Sequence, residues 1–114
     1  MSYNQQDIVL LPFPYSDLST SKKRPALVLS NNDFNKQSSD LICCLITTNP
    51  KQDKYSIHID ENNVENGKLF FKSRIKPYRI FTVDSKIILK KLCKLKTDKF
   101  NETIENLHKI ISKT

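Results

Sequence analysis

Two short stretches of this chain hold residue types suited to gripping a phosphate. Lys22-Lys23-Arg24-Pro25 runs directly into the apolar segment Ala26-Leu27-Val28-Leu29. Leu41-Ile42-Cys43-Cys44-Leu45-Ile46 runs out into Thr47-Thr48-Asn49. If the two apolar segments are paired strands, a fixed guanidinium and a hydroxyl meet at one rim of a sheet. A guanidinium suits phosphate because its planar fork makes two parallel charge-assisted hydrogen bonds. Pro25 biases the backbone of Arg24 toward extended geometry, which aims the side chain. The plainer alternatives are an arginine that ends its strand in an ion pair with Asp17 or Asp33, and threonines that serve as ordinary strand residues.

A second basic cluster follows. Lys72, Arg74 and Lys76 interleave with Ser73 and Ile75, beside Phe70, Phe71 and Tyr78. On one strand the three cations share a face. Cations beside exposed aromatics hold single-stranded nucleic acid by charge and stacking. In the alternative arrangement Phe70 and Phe71 enter the core and the lysines solvate the other face. Other chemistry is sparse. His58 and His108 have no nucleophile near them in sequence, and there is no Gly-x-Ser-x-Gly or His-Glu-x-x-His. Gly67 is the sole glycine, so a glycine-rich phosphate loop is nearly excluded. Asp60, Glu61 and Glu65 read as a solvated turn without metal-ligand spacing. No metal or cofactor is expected.

The elements that must position these residues follow from periodicity. Asp7 to Phe13 reads as a buried strand stopped by Pro12 and Pro14, followed by a loop over 14–23. Arg24 to Ser30 is a second strand, and Asn31 or Asn32 can cap a short helix or turn. Asp40 to Thr48 is a third strand. Tyr55, Ile57 and Ile59 alternate with polar residues, with His58 on the polar face. A strand opens at Leu69 and ends near Ile75, Pro77 interrupts, and Tyr78 to Val83 resumes. Residues 87–95 are ambiguous. Thr97 or Asp98 can cap a last helix, on which Phe100, Ile104, Leu107 and Ile111 form one apolar stripe. Several short strands and one C-terminal helix suit a mainly β (α+β) domain, a small curved barrel with a packed helix.

The chain has 114 residues, enough for one domain with one core. Its formal charge of +7 is unevenly spread. Residues 68–99 carry eleven Lys/Arg against Asp84 and Asp98, whereas residues 1–67 carry six against eight Asp/Glu. Segregated charge of this kind favours a polyanionic partner, whether nucleic acid, a membrane surface or an acidic protein; the plainer alternative is a solubilising lysine surface. Cys43, Cys44 and Cys93 are odd in number and lack a Cys-x-x-Cys, which argues for a reduced intracellular protein without disulfides or zinc. On a strand Cys43 and Cys44 point to opposite faces, one of them buried. No signal-peptide pattern and no bilayer-spanning stretch is present.

Taken in order, Asp7-Ile8-Val9-Leu10-Leu11-Pro12-Phe13-Pro14-Tyr15-Ser16-Asp17, Lys23-Arg24-Pro25-Ala26-Leu27-Val28-Leu29-Ser30, Ile46-Thr47-Thr48-Asn49, Ser73-Arg74-Ile75-Lys76-Pro77 and Phe81-Thr82-Val83-Asp84 resemble toxins of the PemK/MazF family, in a PemK-like branch, over nearly the whole chain. The resemblance implies a single toxin domain over 1–114 with an SH3-like β-barrel and C-terminal helix, commonly a cytoplasmic homodimer. It implies a metal-independent, ribosome-independent endoribonuclease that cuts single-stranded mRNA and is restrained by an acidic, partly disordered segment of a cognate antitoxin. The family's catalytic arginine corresponds to Arg24 and its threonine to Thr47, with Thr48 in that place if the register slips. Lys22, Lys23, Ser73, Arg74 and Lys76 are the substrate-binding candidates. The chain departs from the family pattern at Gln6, where a glycine is usual, and at Ser73, where some members carry an acid. Two other functions fit the same barrel: a non-catalytic module that binds nucleic acid or antitoxin, and an inhibitor of a host topoisomerase.

Overall fold

The computed structural model describes residues 2–12, 22–51 and 53–114. Among them, seven strands form one curled antiparallel sheet with a C-terminal helix. The strands are β1 (Asp7–Pro12), β2 (Lys23–Val28), β3 (Asp40–Thr47), β4 (Ile57–Ile59), β5 (Val64–Glu65), β6 (Ser73–Asp84) and β7 (Lys90–Leu95). The helices are α1 (Asn32–Gln37) and α2 (Thr97–Ile111). The sheet runs β4-β6-β3-β2-β1-β7-β5. Phe13 and most of the expected 14–23 loop lie outside the described residues.

The central strands are apolar at successive positions because the curled sheet is covered on both faces. Ile8, Leu27, Cys44, Ile46, Ile75, Cys93 and Leu95 point to one side and meet Phe100 of α2. Val9, Ala26, Val28, Cys43, Leu41 and Val83 point to the other and meet Tyr3. Cys43 and Cys44 point to opposite faces as expected, and because both faces are covered both are buried.

Several expectations change for local physical reasons. Residues 73–84 form one strand through Pro77, and Leu69 to Phe71 lie outside it. The β3–β6 register jumps from Cys44↔Ile80 to Leu45↔Lys76, so residues 77–79 bulge out of the ladder. A proline that cannot donate to a ladder is tolerated at such a bulge. Asn31 caps α1 by accepting from the Phe34 N–H. For α2, neither Thr97 nor Asp98 is the cap. Lys96 holds that position without a side-chain bond. The buried face of α2 is Phe100 and Thr103, with Leu107 packed beside it, and Ile104 and Ile111 are exposed.

Two backbone positions hold β7 in place. Gln6 has φ +80°, a left-handed conformation that costs an L-residue about 1 kcal/mol. Its side-chain amide offsets that by donating to Leu95 O at 2.9 Å and to Thr97 Oγ1 at 3.3 Å. Gly67 has φ +147°, and a Cβ there would sit 2.0 Å from the Leu92 carbonyl oxygen. No side chain fits without displacing β7. Gly67→Ala is expected to destabilise the protein by about 3 kcal/mol, read as a lower urea midpoint at unchanged slope.

Candidate functional site

β2 and β3 pair antiparallel with Ala26 opposite Leu45 and Val28 opposite Cys43. The start of β2 and the end of β3 therefore share one end of the sheet. There, Lys23 and Arg24 line a groove of about 450 Å³ together with Thr48 and Ser73. Lys68 and Lys90 add positive charge, and Phe70 and Phe71 add apolar surface. The two phenylalanines are 78% and 72% exposed, which decides against a core role and leaves their ring faces open to stacking. Arg24 makes no ion pair with Asp33, and Asp17 lies outside the described residues.

The two threonines divide their tasks by strand alternation. Ile46 and Thr48 line the groove. Thr47 is on the opposite face, buried, and its Oγ1 accepts the Asn49 N–H at 3.1 Å. The hydroxyl that shares the groove with Arg24 is thus that of Thr48. Ser73 also lines the groove, but its hydroxyl donates to Phe71 O at 2.9 Å and holds the aromatic segment in place.

Arg74 takes a part that the sequence did not suggest. It is 3% exposed, not aligned with Lys72 and Lys76 on a solvent face. Its Nε donates to Asn49 O at 2.8 Å, and its Nη1 donates to Ser56 Oγ at 2.9 Å and Asp53 Oδ2 at 3.2 Å. Tyr78 Oη donates to the same Asp53 oxygen at 2.7 Å. A guanidinium taken from water needs such partners, and satisfying it pins the segment after β3. Arg74 thus ties Asn49, next to Thr48, to Ser56 and Asp53, and it also lines two adjoining depressions, one with Lys76 and one with Lys72. Lys76 lies in a neighbouring depression with Lys51, Asp53 and Tyr78. Lys22 is exposed just before β2 and does not line the groove.

Slight burial tends to raise the Asp53 pKa. Hydrogen bonds from Tyr78, from the Ser56 and Tyr55 N–H groups and from Arg74 outweigh it and lower the carboxyl from 3.8 to about 2. Tyr78 is pushed up by burial and then by Asp53. Burial raises the Cys43 thiol to about 12, and raises Cys44 with a further contribution from Cys43. Cys93 is raised to about 11, again chiefly by burial, with Lys91 opposing and Asp7 assisting. Thiols held protonated in the core are poor nucleophiles. Among the described residues, no three His, Cys, Asp or Glu side chains gather closely enough to hold a metal ion. Nor is any described helix long and apolar enough to cross a membrane.

Sequence reasoning missed Lys68 and Lys90 as parts of the groove, because the chain folds back to bring them there from either side of β6. The excess of basic charge in residues 68–99 was the available signal.

The family described as PemK-like, MazF-like toxin of type II toxin–antitoxin system matches residues 4–111. Among solved structures, an endoribonuclease in complex with its cognate antitoxin from a Mycobacterial species is similar, with TM-score 0.79 and 14% identity over 99% of this chain and 98% of that one. MazE–MazF from Deinococcus radiodurans gives TM-score 0.75 and 18% identity over 100% and 99%. The Mycobacterium tuberculosis toxin MazF-mt6 gives 0.72 and 16% over 90% and 93%. At these identities the likeness shows a shared fold. A comparison with curated protein sequences found no match.

Two outcomes follow from the site's electrostatics. A carboxyl with a lowered folded pKa stabilises above its ordinary value and loses that stabilisation as pH falls. The Asp53 contribution is therefore complete above about pH 4 and gone near pH 2. Asp53→Asn should unfold at lower temperature than wild type at pH 6, and the gap should close between pH 4 and 2, as read by thermal melts. The three cysteines should resist a thiol reagent in the native protein and all react once it is unfolded.

Proposed function

The chain belongs to the PemK-like, MazF-like toxins of type II toxin–antitoxin systems, and from that premise we propose that it is an endoribonuclease acting on single-stranded RNA. The observation that carries this reading is the groove that Arg24 and Thr48 line together, with Lys23, Lys68 and Lys90 around it and Phe70 and Phe71 open to solvent. Lysines attract the phosphate backbone and aromatic faces stack bases without strict sequence preference.

In the proposed reaction the ribose 2′-OH attacks the adjacent phosphorus. A 2′-O–P bond forms and the P–O5′ bond breaks, leaving a 2′,3′-cyclic phosphate and a 5′-OH. The nucleophile belongs to the substrate, so the inert cysteines are not needed. Arg24 stabilises charge on the phosphorane, because a fixed guanidinium interacts most strongly where negative charge develops. Thr48 orients a non-bridging oxygen. Thr47, the residue expected from sequence, supports the turn behind it through Asn49. No metal takes part in this scheme.

The partner proposed by analogy with the antitoxin complex is an antitoxin whose acidic, partly disordered segment meets the same cations. A homodimer acting in the cytoplasm completes the reading, with 1–114 as one toxin unit, and the three reduced cysteines suit that compartment. A second reading is a module that binds RNA without cutting it. It is favoured by Ser73, because no carboxylate lines the described part of the groove.

Purified protein freed of antitoxin should cleave a long unstructured RNA in EDTA and leave cyclic phosphate ends. Arg24→Ala should lose about 3 kcal/mol of transition-state stabilisation, on the order of a hundredfold in rate. Thr48→Ala should lose more than Thr47→Ala, provided both remain folded. RNA that is bound in a salt-dependent way but stays intact selects the binding module.

A further inference from the structure

Attack by a 2′-OH needs somewhere for its proton to go. The described lining of the groove offers Lys23, Arg24, Lys68 and Lys90, which are cations, and the hydroxyls of Thr48 and Ser73. None of these is a good base. A protein base must then come from an adjoining surface that the same strand of RNA reaches.

Three acidic side chains stand nearby, and each is poorly suited. Asp53 is committed to Arg74 and Tyr78, and with a pKa lowered to about 2 it is a weak proton acceptor. Asp60 accepts the Asn62 N–H at 2.8 Å and caps the turn that follows. Asp60 and Glu61 line a depression that shares Leu69, Phe70 and Phe71 with the groove but not Thr48.

His58 is placed differently. It is the exposed middle residue of β4, the edge strand of the sheet, across from Arg74 on β6. It lines a depression with Lys72, Arg74, Thr48 and Ser73. Thr48 and Ser73 line the main groove as well, so the two hollows meet at those residues. A strand of RNA lying across Thr48 and Ser73 would pass from the groove of Arg24 into the hollow of His58. Lys72, in the same hollow, offers a contact for the adjoining phosphate. Histidine is also the side chain best fitted to accept and return a proton near neutral pH.

Resting on the nuclease reading above, we infer that His58 is the general base of this active site. It accepts the proton of the 2′-OH as the 2′-O–P bond forms. The departing 5′-oxygen takes a proton from water, and the imidazolium returns its own to water. The site thereby replaces the acid missing at position 73 with a base from the neighbouring strand.

The test is single-turnover cleavage by wild type, His58→Ala, His58→Gln and Glu61→Gln, each checked for folding by thermal melt. Affinity is measured alongside with a 2′-O-methyl RNA that cannot react. Both His58 variants should lose about a hundredfold or more in rate while binding that RNA within about threefold of wild type. Added imidazole should restore part of the rate to His58→Ala, and Glu61→Gln should cleave normally. His58→Ala cleaving within about threefold of wild type, or a loss that imidazole leaves unrestored, overturns the assignment. Should Arg24→Ala be inactive while His58→Ala is not, the nuclease reading stands and only the base is wrong. A folded wild type that cuts no RNA overturns both.

Discussion

The buried guanidinium of Arg74 is the constraint on which the site depends. A cation at 3% exposure is tolerated only if its donors are met. The Nε and Nη1 donors of Arg74 draw in Asn49, Asp53 and Ser56 from the segment that follows β3. The segment is thus fixed from inside the fold. Thr48, which lines the groove with Arg24, and the buried Thr47 directly precede the anchored Asn49. Tyr78, just past Pro77 in the β6 bulge, closes the network on Asp53. The proline that interrupts the ladder and the arginine that anchors the loop therefore act together within five residues of one strand.

The rest of the fold keeps β7 and the groove wall in register. β1 is paired on both sides, with β2 and β7. At its start the buried Asp7 accepts from the Asn4 N–H at 2.8 Å and faces Lys91 Nζ at 3.1 Å. Gln6 beside it spends a strained backbone to reach Leu95 and Thr97, which joins β1 to the start of α2. A glycine would relieve the strain but supply neither hydrogen bond. Gly67 lets the preceding turn lie against β7, and Lys68 and Lys90 reach the groove from the two segments that meet there.

The groove is electrostatically one-sided. Its described lining has four cations and two hydroxyls and no carboxylate. Such a surface attracts a polyanion and stabilises charge that develops on it. It is poorly equipped to remove a proton, and Ser73, whose hydroxyl is held by Phe71, does not supply that function. The neighbouring hollow shares Thr48 and Ser73 with the groove and is also lined by His58 and Lys72.

Periodicity and motif carried the sequence reading a long way. Alternation and proline placement located β1 to β4 to within a few residues, and the Asn31 cap of α1 was legible because capping is local. The Arg-Pro strand pointed to Arg24, which lines the groove. The continuous strand through Pro77 was not legible, because a bulge depends on the register of the partner strand. The shifted face of α2 escaped for a similar reason: Thr103 is buried by the strands it meets, which its own polarity does not announce. By itself the sequence determined a curled sheet with a terminal helix, a basic segment over 68–99 and a phosphate-suited arginine, since these rest on composition and on spacing within single elements. Tertiary structure alone decided which threonine shares the groove, that Arg74 is a buried anchor, and that Lys68, Lys90 and His58 come near Thr48. Those outcomes depend on side chains from distant strands competing for the same space and the same hydrogen bonds.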